Sequence, residues 1–149
     1  MPPTTTLIVV ADAANARFLV SSGPASKITE LQEQSMHSAV PPTHELVRDR
    51  QTRIFESMGT GRSAVEPKEG PRRRTKREFA EVVAAALEQQ AVSGQYQRIV
   101  IVAAPTMLGD MRPVLGSNTK QLLVAEIDKD LTSHSPSDLR PHLADHVVV

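Results

Sequence analysis

The hydrophobic positions of the chain alternate between short β-branched runs and segments with helical spacing. Runs of four to eight residues rich in valine, isoleucine and leucine are typical of strands covered by neighbouring elements. The candidate strands are residues 7–11, 16–20, 27–34, 53–56, 98–103 and 122–127. The first two flank the turn residues Asp12 and Asn15, so we predict that they form a hairpin. The third is more polar, so we place it at an edge of the sheet.

The longest helix is predicted for residues 76–91, directly after a basic cluster. Apolar side chains recur there with the spacing of one helix face. The predicted core-facing positions, of which only the last is polar, are Phe79, Val82, Val83, Ala86, Leu87 and Gln90. Thr75 and Glu78 have the spacing of a capping box, and Gly94 is placed to end the helix.

Two shorter helices are predicted in the second half of the chain. One begins at Pro105 or Thr106 and must stop or kink at Pro113, because proline lacks the amide hydrogen that a helix interior needs. The other begins at the segment 135–138, which supplies a serine cap, a proline and an acid in the favoured order. It runs towards His146.

This order of elements predicts an α/β fold in a single domain spanning residues 1–149. An antiparallel N-terminal meander and parallel C-terminal crossovers together give one mixed sheet of about five strands flanked by helices. The length of 149 residues fits one domain, and the apolar content of 40% can build its core. That core must be aliphatic, because aromatic residues make up only 3% of the chain.

The formal net charge is zero, but the charge is unevenly distributed. Residues 48–77 hold ten Lys/Arg and four Asp/Glu, a local charge of +6, so the remainder carries −6.

Cysteine is absent, which excludes disulfides and thiolate chemistry. We find no signal sequence or membrane-spanning run and expect a cytoplasmic protein without a membrane partner.

The basic segment is the candidate functional site. We predict a flexible basic loop at residues 57–75 that leads into the long helix, whose positive dipole end is already unfavourable for cations. A bound phosphate or carboxylate would offset this clustering, since helix-start amides and guanidinium groups both bind oxyanions. The candidate anion- or nucleic-acid-binding residues are Arg48, Arg50, Arg53, Arg62, Arg72, Arg73, Arg74, Lys76, Arg77 and Arg112. The alternative is a solvated basic loop screened by counterions.

Other motifs give no catalytic residue, metal site or cofactor. The segment 59–61, Gly-Thr-Gly, lacks the lysine and hydroxyl ending of a P-loop. His142 and His146 have helical i, i+4 spacing without the glutamate of a zinc protease motif. Asp128 and Asp130 could bind a cation, although a solvated turn is the simpler interpretation.

Several segments together resemble the bacterial host-attachment protein family over nearly the whole length. The resemblance is carried by residues 9–18, 45–50, 59–62, 79–80, 99–112 and 129–132. That family is similar in turn to the middle domain of archaeal and eukaryotic peptide-chain release factors. The resemblance implies an α/β fold in which a glycine-rich loop leads into a long helix.

The chain departs from these relatives at the loop itself. Release factors carry Gly-Gly-Gln there, whereas residues 59–64 read Gly-Thr-Gly-Arg-Ser-Ala. Ser63 stands where the family often has histidine, and residues 49–53 read Asp-Arg-Gln-Thr-Arg in place of the Asp-Arg-Pro-Gly-Arg pattern. These departures argue against peptide release and against a histidine-dependent activity.

Three functions are compatible with the sequence. The first is a non-catalytic module that binds RNA, the ribosome or another polyanion through the basic segment, by backbone contact and without reading a DNA sequence. The second is an accessory factor for bacterial attachment to host cells that binds no nucleic acid. The third is a hydrolase of unknown substrate, for which no nucleophile–base pair is recognisable. No oligomeric state follows from these residues.

Overall fold

The computed structural model of the protein describes residues 4–24, 26–38 and 70–147. The strands in this part of the chain are β1 (Thr6–Ala11), β2 (Asn15–Ser21), β3 (Thr29–Glu30), β4 (Met36–His37), β5 (Arg98–Ala103) and β6 (Leu123–Asp128). The helices there are α1 (Pro71–Val92), α2 (Pro105–Met111), α3 (Ser117–Leu122) and α4 (Pro136–Ala144). Two short 3-10 turns lie at Gln32–Gln34 and Arg112–Val114.

The strands form one mixed sheet with the order β3-β2-β1-β5-β6, and β4 pairs with β2 beside β3. β1 pairs antiparallel with β2 and parallel with β5, which in turn pairs parallel with β6. This confirms the predicted mixed α/β fold, the hairpin and the edge position of the third strand. The central strand β1 is buried along its whole length because helices cover both faces of the sheet.

Alternate side chains of β1 enter two separate hydrophobic cores. Leu7 and Val9 pack with α1, α2 and the segment that follows α2. Ile8 and Val10 pack on the opposite face, together with side chains of α4. Both cores are mostly aliphatic, as the composition predicted.

Helix α1 begins five residues earlier than predicted. Pro71 is its first residue and Gly70 its N-cap, so Thr75 lies inside the helix and the predicted capping box is not formed. Proline at the first position explains the earlier start, because its fixed φ suits a helix and its missing amide hydrogen is not needed there. The predicted end is confirmed: α1 stops at Val92, and Gly94 has a φ of +79°.

The core-facing side of α1 is rotated from the predicted one. Phe79, Val83 and Leu87 are buried as predicted, but Val82 is 51% exposed. Ala80 and Ala84 are buried in its place. Small side chains at these positions allow a helix to pack closely. A prediction based on large apolar residues does not detect such positions.

Three further elements differ from the prediction, one of them being the two-residue strand β4, which was not predicted. The polar segment 27–34 contributes only the two residues of β3 before it turns into the 3-10 segment Gln32–Gln34, whose polar side chains have no core to enter. Helix α3 was not predicted, because its sequence of six residues has little hydrophobic periodicity. The predicted strand at 53–56 lies outside the described residues.

The starts of the other two helices are confirmed. α2 begins at Pro105, and Pro113 falls in the 3-10 turn that follows α2. Ser135 caps α4, and its hydroxyl oxygen accepts a hydrogen bond of 3.2 Å from the Asp138 amide.

Candidate functional site

The first two turns of α1 extend past the carboxyl ends of the parallel strands. Five residues link the end of α1 to β5, so the C-terminal end of the helix lies where β5 begins and its N-terminal end lies where β5 ends. The buried positions run from Phe79 to Ala91, about 20 Å of helix, which matches a strand of six residues. Residues 71–78 therefore extend about 12 Å beyond that length. In α/β sheets, ligands bind outside the carboxyl ends of the strands.

This extension carries the basic cluster. Residues 71–75, which we predicted to end a flexible loop, are helical, and residues 57–69 lie outside the described part of the chain. At 100° per residue, Arg72, Arg73 and Lys76 continue the core-facing side of α1 towards its N-terminus. These three are partly buried, whereas Arg74 and Arg77 are exposed.

Arg73 forms a bidentate ion pair with Asp110 of α2. Its Nη1 donates to Asp110 Oδ2 at 2.7 Å, and its Nη2 donates to Asp110 Oδ1. The Asp110 side chain is only 8% exposed, whereas that of Arg73 is 41% exposed. Parallel hydrogen bonds of this kind fix orientation as well as distance. Within the predicted site, Arg73 is therefore bound to the protein itself.

Apart from Arg77, which is exposed, the remaining cations of the predicted site fall into three groups. Arg112 is exposed and donates from Nε to Glu126 of β6 at 2.7 Å. Within the described ranges, Arg72, Arg74 and Lys76 form no hydrogen bond or ion pair. The predicted residues that lie outside these ranges are Arg48, Arg50, Arg53 and Arg62.

The N-terminal end of α1 has no acidic residue in its first turn and no side-chain cap at Gly70. Carboxylates normally occupy this position, since they interact favourably with the positive end of the helix dipole. Asp110 of α2 supplies a carboxylate to this end of α1. The clustered cations and the positive end of the helix dipole leave this end suited to further negative charge.

A second polar region lies at the edge of the sheet and was missed by the sequence reasoning. Arg17 of β2 donates from Nε and Nη2 to the Glu30 carboxylate at 3.0 and 2.8 Å. Its Nη1 donates to the main-chain oxygens of Thr132 and His134. The hydrogen bond from Arg17 lowers the pKa of Glu30. The position of Arg17 within an otherwise largely apolar strand could have indicated this structural role from the sequence.

This region borders a cavity of about 410 Å³ that is lined mostly by residues with polar side chains. Asn15 and His37 also line the cavity, and their side chains are joined by a hydrogen bond of 2.7 Å between Oδ1 and Nδ1. Because Arg17 and Glu30 neutralise each other, the cavity presents no excess of either charge. It is therefore a weaker anion site than the start of α1.

The acidic turns after β1 and β6 are structural. Asp12 Oδ1 accepts hydrogen bonds from the amides of Ala14 and Asn15. The Thr132 hydroxyl lies between the two turns, 3.0 Å from Asp12 Oδ2 and 2.7 Å from Asp130 Oδ1, and donates its single hydrogen to one of these two carboxylates at a time. These contacts join the two turns and occupy the carboxylates.

The histidine pair suggested by helical spacing does not form a metal site in the structure. His146 lies beyond the end of α4, and His142 instead contacts the ring of His134 edge-on, with centroids 5.1 Å apart. Among the described residues, no three histidine or acidic side chains are grouped so that they could hold a metal ion.

Comparison with known proteins agrees with this fold and with the motifs in the sequence. Residues 7–143 match the family described as "Protein required for attachment to host cells". The chain belongs to this family. A relative, an uncharacterized protein of Rickettsia prowazekii (strain Madrid E), is 31% identical over 94 residues, which cover 62% of this chain and 63% of that protein. The match thus spans less than two thirds of the relative's length.

The fold of this chain is similar to part of a solved archaeal translation termination factor, aRF1. The TM-score is 0.54 at 14% identity, and the match covers 97% of this chain and 35% of that structure. This likeness confirms the expected distant similarity in fold.

No described helix combines the length and apolar composition needed to cross a membrane.

Proposed function

We propose that this host-attachment-family protein is a non-catalytic module that binds RNA, alone or within the ribosome, through the first two turns of α1. The observation that carries the proposal is the cluster of Arg72, Arg74 and Lys76. These side chains lie beyond the carboxyl edge of the sheet and form no ion pair with any described carboxylate. Their charges and the helix-start amides together suit a chain of phosphates.

The spacing of these cations favours an extended polyanion over a single phosphate. Arg72 and Lys76 are one helical turn apart, about 6 Å along the axis, so they can contact successive charges of one strand. The described aromatic side chains Phe18, Phe79 and Tyr96 are all buried, so base stacking on them is not available. Recognition therefore rests on the phosphate backbone. RNA is our choice among polyanions because the fold is like that of a translation termination factor.

The test is a binding assay with a short RNA duplex and with purified ribosomes at low salt. The variant Arg72→Gln/Arg74→Gln/Lys76→Gln lowers the formal net charge from zero to −3 and should weaken binding by at least tenfold. Three lost phosphate contacts account for a loss of this order.

The matched control neutralises three exposed lysines elsewhere on the molecule. Lys27→Gln/Lys120→Gln/Lys129→Gln has the same net charge of −3 and should bind like the wild type. Equal losses in both triple variants would show that only the overall charge matters. Wild-type protein that binds neither probe would reject the proposal.

The family description favours a second candidate, an accessory role in attachment to host cells without nucleic-acid binding. Cell fractionation and a host-cell adhesion assay with a deletion strain distinguish the two. On our proposal the protein is cytoplasmic, and the triple variant at α1 fails to restore adhesion while the control variant restores it. Surface-exposed protein, with full restoration by both variants, would favour the second candidate.

A further inference from the structure

The basic residues at the start of α1 are not equivalent, because one of them is committed to another helix. Arg73 directs both terminal nitrogens of its guanidinium to Asp110, which is almost fully buried. Arg72 and Arg74, the immediate neighbours of Arg73, form no such bond among the described residues. Arg73 therefore faces the protein, whereas Arg72, Arg74 and Lys76 have no partner among the described residues.

The first turn of α1 needs this attachment for electrostatic reasons. Cations at a helix N-terminus oppose the helix dipole, and the first turn contains no acid to compensate. Residues 71–78 also contribute no fully buried side chain, unlike the rest of α1, whose buried residues run from Phe79 to Ala91. Asp110 supplies the missing negative charge and bonds this end of α1 to α2.

We infer that Arg73 and Asp110 are positioning residues of the proposed polyanion site: their ion pair holds the first two turns of α1 folded so that Arg72, Arg74 and Lys76 present a fixed array of charge. This inference rests on the proposed function. On this inference, binding of a negatively charged ligand requires Asp110, although Asp110 is itself a carboxylate beside the site.

The role of Asp110 can be separated from a simple charge effect. Removing a carboxylate near a polyanion site should strengthen binding if charge alone matters. If the ion pair positions the cations, Asp110→Asn should instead weaken binding of a short RNA duplex. When only a tenth to a half of the molecules keep the turns folded, the apparent affinity falls about two- to tenfold.

The salt dependence of binding distinguishes positioning from direct contact. Neutralising a residue that contacts a phosphate lowers the slope of log affinity against log salt by about one unit. Arg72→Gln should show that loss of slope. Arg73→Gln should weaken binding with the slope almost unchanged, because the other cations still engage the phosphates.

The deciding experiment combines RNA binding with amide hydrogen exchange on the full chain. Asp110→Asn should weaken binding and speed exchange at residues 74–77, whose amides are the first to bond within α1. The swapped pair Arg73→Asp/Asp110→Arg should largely restore both. Glu126→Gln, which removes the carboxylate paired with Arg112, is the control and should change neither exchange at 74–77 nor the affinity by more than about twofold.

The possible failures are distinguishable. Wild-type protein that binds no RNA rejects the proposed function together with the role of the ion pair in binding. Wild-type protein that binds, with an Asp110→Asn variant that binds equally well or better, rejects only the positioning role. Unchanged exchange at residues 74–77 in Asp110→Asn also rejects the positioning role, whatever the affinity.

Discussion

Glu88 shows how a single side chain fixes the start of a neighbouring helix. Its carboxylate accepts hydrogen bonds from the amide and side chain of Asn118, at 3.3 and 2.7 Å, and from the amide and hydroxyl of Thr119, both at 2.9 Å. A Cβ atom at Gly116 would collide with this carboxylate, so a larger residue there would displace Glu88 from these hydrogen bonds. Sequence reasoning could not find this contact, because its partners lie 30 residues away and Glu88 alone resembles any surface acid.

The same contact predicts a pH dependence of stability. Hydrogen bonds, first that from the Asn118 side chain, lower the pKa of Glu88 from 4.5 to about 2. Because the folded pKa lies below the unfolded one, the stabilisation is complete above pH 4.5 and is lost as the pH falls towards 2. Glu88→Gln should therefore lose stability relative to the wild type at pH 7, and the difference should shrink at pH 3.

Urea unfolding at pH 7, 4.5 and 3 measures this difference. Glu81→Gln, an exposed position on the same helix, is the control and should follow the wild type across the series. A stability difference between Glu88→Gln and the wild type that stays constant from pH 7 to pH 3 would contradict the assigned role of Glu88.

At the level of elements, the sequence predicted the helices and strands better than it predicted which side of α1 faces the core. The β-branched runs and proline signals located β1, β2, β5, β6 and the starts of α2 and α4. The predicted core-facing side of α1 included Val82, a large apolar residue that is exposed in the structure. It left out Ala80 and Ala84, which are buried. Alanine carries little hydrophobic signal, yet its size is what permits close packing.

Two substitutions on α1 test the observed orientation. Leu87 is fully buried, so Leu87→Ala should lower the free energy of unfolding by about 2–5 kcal/mol through lost burial and a residual cavity. Val82 is half exposed, so Val82→Ala should change the free energy of unfolding by less than about 0.5 kcal/mol. Chemical denaturation measures both. Similar losses for the two variants would favour the orientation first predicted from the sequence.

At the scale of the whole molecule, the sequence predicted a basic segment beside an otherwise acidic body, and the structure locates part of it. The five cations at 72–77 extend from the sheet as helix rather than as loop. The division between Arg73 and its neighbours could not be predicted, because it depends on Asp110, 37 residues away in sequence and adjacent only after folding. The basic residues from 48 to 62 stay predictions, since they lie outside the described residues.

Localisation of the ligand on the surface tests the central claim most directly. The measurement is a titration of the isotopically labelled full chain with a short RNA duplex at low salt, followed by amide chemical shifts in NMR spectra. Amides of residues 72–77 should shift first and furthest, and those of α4, on the opposite face of the sheet, should stay unchanged. Shifts centred on any other surface, or no shifts at RNA concentrations that saturate known non-specific binders, would contradict the account.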